Sequence, residues 1–570
     1  MTHAAIVCAV LATVAFLPGA MDRWTFPKLT LAAIAALLAA FGPSTGRIPR
    51  SIAVLIAVAC SVLAAAAVLG GSPLAQFLGR WPRYEGAVSI SVYIAMIWAG
   101  ARLLGPLVHR RALDTFYEAL SWATVAIAAL ATCEALGWDP LPSDLTRPGS
   151  LLGNASDEGS VALMAAVVLG VPVFLSSSME PDQRPRRIGL IRLGLGAAIV
   201  SVILSASRTA EAILLLVVLA GITIAVVRGV RTRGSFRAAI ATGVVLLLTV
   251  ALAFAVPLTR DRLVGAAPNA QSLTAGRGVI WGAAMNLVAQ HPLLGVGPNG
   301  FVDAFPGYQT VDVVKATGVG VTVDSPHNAE LQVLAAGGVL LAAVAVALAV
   351  LVVVHAGRAL TAMPPMGGSN VFRWGAAVSL VAYVLTLQTT FTAPANAILP
   401  MFLLGAVVAA PPGEDAQPPG PGRGRSIGMR VGFGALTVVL LAASAAEIPL
   451  QNALVAAGGG DLPRTLAAYD AARALRPWDG DVTVIEAQTL TQLASNRVGG
   501  AAAAAVAVSQ SAVRTFPHSV LALKALSAAL EFEGRESDAL RAASTLNRLA
   551  PHDPEVAARI REIRHVMNQQ

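Results

Sequence analysis

Charge is scarce in this chain. Asp, Glu, Lys and Arg make up 13% of its 570 residues, against about a quarter in a soluble globular protein. That shortage excludes an ordinary soluble enzyme. Cysteine is scarcer still: Cys8, Cys60 and Cys133 all lie inside apolar runs and form no CxxC pair. A disulfide framework and a structural zinc site are therefore not expected. The first twenty residues contain no Lys or Arg, so the apolar segment ending at Pro18-Gly19-Ala20 reads as a retained span, not a cleaved signal peptide. No Asp/Glu/His cluster has metal-ligand spacing, and no Gly-rich phosphate loop follows a strand. No metal, no nucleotide and no other cofactor is expected.

Apolar sequence takes up the room. Hydrophobic residues make up 56% of the chain, and the mean hydropathy is +0.69. Runs long enough to cross a bilayer recur over residues 3–20, 28–42, 51–70, 87–107, 113–135, 159–178, 189–205, 209–227, 237–257, 329–354, 374–390, 396–411 and 429–446. The expected fold is all-α: a polytopic bundle of about 12–13 spans. Basic residues alternate between loops. Arg47, Arg110, Arg184, Arg228, Arg358 and Arg423 mark one set, with about seventeen Lys and Arg in all. The other set (Arg23, Lys28, Arg80, Arg83, Arg147 and Arg208) holds about six. This bias predicts a cytoplasmic N-terminus and an outward-facing loop over 258–328. It also explains the formal net charge of +8 without a nucleic-acid partner.

Residues 1–411 form the expected membrane domain, 412–428 a Pro/Gly linker, and 429–446 a last span that carries the remainder outside. From 447 to 570, polar residues cover one helical face. Pro477, Pro517 and Pro551 end successive helices. Their spacing predicts a tetratricopeptide-like helical repeat domain or, failing that, an Ala-rich bundle. Either serves interaction, through a protein partner, an acceptor or the cell wall.

The long loop has most of the room for chemistry. Arg277 opens a short helix with Trp281 one turn later, and His327 stands at the loop's end between Pro326 and Asn328. Histidine suits a general base near neutral pH, and it equally suits a polar cap at a span's start. Arg208 sits between two spans with almost no loop, where an arginine either needs a partner or snorkels to the interface. Asp324 and Glu330 are candidate charge partners of His327. Arg80 and Arg83, in Arg80-Trp81-Pro82-Arg83-Tyr84-Glu85-Gly86, are either an interfacial anchor belt or a contact to phosphate or sugar. Arg147 and Asn154 read as backbone turns.

Together, Ser207-Arg208-Thr209, Gly276-Arg277 with Trp281, Pro292-Leu293-Leu294-Gly295-Val296-Gly297, and Pro326-His327-Asn328 followed by Gly337-Gly338 resemble the O-antigen ligase/polymerase superfamily over about residues 1–410. The resemblance implies a bacterial plasma-membrane glycosyltransferase of GT-C-like architecture. It would move a glycan from a polyprenyl-diphosphate carrier to a glycan, lipid or wall acceptor. It carries the base onto His327 and the diphosphate contacts onto Arg208 and Arg277. Arg80, Arg83, Trp281, Asp324 and Asn328 are the weaker candidates around them. The Asn154 turn departs from the family's pattern, because Ala155-Ser156-Asp157-Glu158 follows it. Direct attack with no enzyme nucleophile would invert the sugar. Two rival readings stand beside this one: a lipid-linked sugar transporter and a non-catalytic envelope scaffold. Against transport, the spans carry almost no charge at mid-membrane.

Overall fold

The computed structural model describes residues 1–70, 73–141, 147–176, 179–180, 182–229, 233–265, 276–318, 323–361, 367–411 and 423–569. Most of the expected linker, loop residues 266–275 and Arg231 lie outside them. The protein is all-α; among the described residues, the only β pairing is one isolated bridge between Arg47 and Ala410. The chain begins with α1 (Thr2–Leu11), α2 (Thr25–Ala39), α3 (Arg50–Leu69), the short α4 (Pro73–Leu78), α5 (Ala87–Leu103) and α6 (Arg110–Ala135). Next come α7 (Ala155–Leu175), α8 (Ile188–Leu204), α9 (Arg208–Gly229) and α10 (Arg233–Ala255). The long loop carries α11 (Pro257–Leu263), α12 (Arg277–Gln290), α13 (Phe301–Ala304) and α14 (Val311–Thr317). The bundle closes with α15 (Ala329–Thr361), α16 (Gly368–Thr386), α17 (Pro394–Val408) and α18 (Arg423–Gly458). The C-terminal helices are α19 (Leu462–Leu475), α20 (Asp481–Ser495), α21 (Ala501–Thr515), α22 (Val520–Phe532), α23 (Glu536–Leu549) and α24 (Pro554–Gln569).

Among the described residues, five helical stretches are apolar and long enough to cross a membrane: Arg50–Leu69, Arg110–Ala135, Ala155–Leu175, Ala329–Thr361 and Ile427–Gly458. Shorter apolar helices lie beside them, and this is a multi-pass membrane protein. Each of the thirteen apolar runs falls on a helix, with shifted ends. α1 stops at Leu11, well before residue 20. α18 runs on to Gly458 with Pro449 inside it, so one helix joins the bundle to the C-terminal helices.

α7 is the bundle's centre, with every residue from Val161 to Leu169 buried. Two buried polar side chains near it find their partners inside the fold, as an apolar surrounding favours. Lys28 Nζ donates to the carbonyls of Thr13, Ala15 and Leu151 at 2.7–2.9 Å. Asn396 donates to Asp157 and accepts from the Tyr383 hydroxyl at 3.2 Å.

α15 is interrupted. Gly338 has φ 62° and ψ −160°, which frees backbone groups of the helix. The Pro292–Gly297 segment takes them up. Val339 N–H donates to Pro292 O at 2.8 Å, and Val296 N–H donates to Ala335 O at 2.7 Å. A Cβ on Gly338 would meet the Leu293 carbonyl, and one on Gly295 (φ +62°) would meet the Ala335 carbonyl. Only glycine permits both the backbone conformation and the approach. The Pro-Leu-Leu-Gly-Val-Gly motif is thus the splice that pins the long loop to α15.

Candidate functional site

His327 lies in the turn before α15, with φ 52°. That left-handed backbone is costly for a residue other than glycine and is held by its surroundings. Trp281 Nε1 donates to Pro326 O at 2.9 Å, fixing the turn from the α12 side. His327 N–H donates to Ser325 Oγ at 3.3 Å. Asn328 caps α15, accepting from Leu331 N–H at 3.0 Å and donating to Gln388 O at 3.2 Å. The imidazole packs on the Phe391 ring with centroids 5.0 Å apart. On the same ring, the Arg83 guanidinium carbon lies 4.3 Å from the centroid. Burial, then Arg277 and Arg83, lower the imidazole's pKa to about 3. His327 is therefore neutral at physiological pH.

A set of arginines gathers beside it. Arg208 opens α9 straight after the α8–α9 turn, where Ala206 has φ 48°. Arg147 Nη1 lies 3.4 Å from the Ser205 and Ala206 carbonyls of that turn. Thr259 Oγ1 donates to Ile203 O at 2.7 Å, which docks α11 on the end of α8. That contact brings up Arg262, three residues further along. A helix C-terminus with free carbonyls is a favourable place for cations. Arg277 opens α12 from the other side.

These guanidiniums lower one another's proton affinity. Arg147 falls to about 10 through burial, then Arg262 and Arg277. Arg277 is lowered by burial, then by Arg208 and Arg262. Arg262 is lowered by burial, then by Arg208. Glu211, one turn into α9, is the carboxylate whose field reaches Arg147 and Arg262. Four cations and one carboxylate beside a neutral imidazole make a receptor for a polyanion.

The structure thus brings His327, Arg208, Arg277 and Trp281 together. Arg83 joins them through Phe391, pairs with Glu85 and donates to Thr392 O at 2.7 Å. Asp324 is raised by burial, against the pull of Arg83. Glu330 turns elsewhere, accepting from Gln388 Nε2 at 2.7 Å. His291 meets the Tyr308 hydroxyl at 3.2 Å. Arg80 is engaged by Asp303 and Asp481, with Phe516 beneath it. Asn154 caps α7, accepting from Ser156 N–H at 2.8 Å.

Sequence reasoning missed Arg262, took Arg147 for a backbone turn, and placed Gln388-Thr389-Thr390 inside or at the end of a span. That stretch links the site: Thr389 Oγ1 meets Thr209 Oγ1 at 2.7 Å, and Phe391 follows it. Four polar residues in the run Gln388–Thr392 were the available signal.

A family model described as O-antigen ligase matches residues 193–346. No curated protein matches the chain. The O-antigen ligase match contains Arg208, Glu211, Arg262, Arg277, Trp281 and His327. It leaves out Arg83, Arg147 and the C-terminal helices. With the apolar bundle, it supports a membrane enzyme of polysaccharide biosynthesis, like O-antigen ligases and polymerases.

Proposed function

We propose that this protein is a glycosyltransferase. It moves a glycan from a polyprenyl-diphosphate carrier to an acceptor on the outer face of a bacterial plasma membrane. The observation that carries this reading is the arginine group with its single carboxylate, set beside His327. In the proposed reaction an acceptor hydroxyl gives its proton to the His327 imidazole. The oxygen's electron pair bonds to the anomeric carbon from the face opposite the leaving group. The bond from that carbon to the diphosphate oxygen breaks, and polyprenyl diphosphate leaves with the electron pair, so the centre inverts. Arg208 and Arg277, with Arg147 and Arg262, hold the diphosphate and stabilise its growing charge. A base so placed contributes roughly two to four orders of magnitude. A pKa near 3 suits a base poorly, and the diphosphate corrects this: its negative charge offsets Arg277 and raises the imidazole's proton affinity. The C-terminal helices, punctuated by Pro477, Pro517 and Pro551, are read as a tetratricopeptide-like domain on the same outer side.

The test uses the purified protein and its His327→Ala variant in nanodiscs, supplied with a polyprenyl-diphosphate glycan pool and with membrane and wall acceptors. The expected result is polyprenyl diphosphate release and a glycosylated product from the wild type alone. One large transferred chain would mark a ligase and a ladder a polymerase. Equal release by both proteins would remove His327 from the chemistry. No release by either would turn the reading toward transport, which a flipping assay measures.

A further inference from the structure

Arg80 connects three distant parts of the chain. Its Nε and Nη2 donate to Asp481 at 3.0–3.1 Å, at the start of α20. Its Nη1 donates to Asp303 in α13 of the long loop. The Phe516 ring, at the end of α21, lies 3.8 Å from the guanidinium carbon. The side chain is 5% exposed, too enclosed to receive substrate. A second touch joins the same parts where Gly307 approaches Leu549 at the end of α23.

We propose that Arg80 is a positioning residue that anchors the long loop to the C-terminal helices, so that those helices hold Arg277 and the His327 turn in place. The contacts form a continuous path. Phe301 and Phe305, on either side of Asp303, stack at 4.6 Å. They pack in one core with Ile280, Ala284 and Leu287 of α12 and Ala335 of α15. α12 begins at Arg277 and carries Trp281, whose indole N–H holds Pro326 beside His327. Asp303 has Arg80 as its ion-pair partner, and burial pushes its carboxyl up against the pull of that arginine. Freed of the Asp481 side, Arg80 would lose its bidentate seat, and α13 its fixed support. Coupling through such a path is a claim about energy and must be measured. The proposal rests on the reading of His327 and Arg277 as the reacting site.

The experiment compares wild type, Asp481→Asn, Asp481→Glu and Asp303→Asn as full chains in nanodiscs, by amide hydrogen exchange and by donor release. Asp481→Asn should speed exchange over 277–290 and 301–317 by about tenfold, with 501–549 unchanged. Asp481→Glu should restore the wild-type pattern. Asp303→Asn, cut from the loop side, should repeat the local opening, and it decides the matter if Asp481→Asn also loosens 501–549. Donor release should fall about tenfold in both Asn variants, because small displacements of positioned groups cost rate. Unchanged exchange over 277–290 and 301–317 would overturn the anchor. Faster exchange with undiminished release would overturn the positioning role. A wild type without donor release would defeat the functional reading alone, and exchange would still decide the anchor.

Discussion

Two groups of arginines, one buried and one half-buried, differ in their counterions. Arg80 and Arg476 face Asp303, Asp481, Glu447 and Asp479. Burial pulls both guanidiniums down, yet the carboxylates outweigh it and Arg80 ends above its ordinary value. For Arg476, Tyr84 and the carboxylates do the same. Arg147, Arg262 and Arg277 go the other way, lowered by burial and by one another. The first group is electrostatically complete within the fold. The second has Glu211 as the one carboxylate acting on Arg147 and Arg262, an excess of positive charge that fits the anion-binding role proposed for it.

The sharpest way to break this comparison is to remove one arginine from each group. Arg476→Ala strands Glu447 and Asp479 and should cost about 3–5 kcal/mol of stability, read as a large fall in Tm. Arg277→Ala should leave Tm unchanged or raised, because a repulsion is relieved. It should lower donor release by about a hundredfold or more. If Arg277→Ala unfolds the protein while Arg476→Ala does not, the two groups have been assigned the wrong way round. A smaller effect follows from ligand linkage. Inorganic diphosphate at a hundred times its Kd should stabilise the wild type by about 2.7 kcal/mol. Arg262→Ala and Arg277→Ala should each blunt that rise.

The smallest effect is in pH dependence. His327 is neutral in the free protein down to about 3, so kcat/KM should show no acid limb near 6.5. Bound diphosphate raises the imidazole's pKa, and the acid limb of kcat should lie about one to two pH units above that of kcat/KM. Coincident limbs would show that the diphosphate does not sit against His327. Stability carries the matching sign. The folded-state pKa lies below the unfolded one, so this contribution is complete above about 6.5 and is lost as pH falls toward about 3.

Local pattern was enough to read part of this from the sequence. Apolar runs became helices, and Arg208, Arg277 and His327 were singled out as short polar breaks beside them. The structure places those three together. What stayed hidden depends on partners far along the chain. Arg80 reads as an interfacial anchor or a phosphate or sugar contact, and neither reading finds its partner Asp481, which is 401 residues away. Arg262 carries no signal of its own in the sequence, because Arg260 and Asp261 beside it are charged too, and those two pair at the surface. Arg147 looked like part of a turn, and it does brace one, yet it also adds its charge to the site. The Pro292–Gly297 motif was recognised as a pattern, while its use as a splice into α15 needed the break at Gly338 to be seen.

The distance between Arg80 and Asp481 also sets a clock. At about 5–20 residues per second, a ribosome makes Asp481 roughly 20–80 s after Arg80. For that interval the turn at residues 80–86 lacks its final contacts. The long loop and α15 are made meanwhile, and the 36-residue helix α18, with Pro449 inside it, then leads to the C-terminal helices. The C-terminal helices are thus made long after the turn they hold, and until they emerge Arg80 has neither Asp481 nor Phe516 beside it.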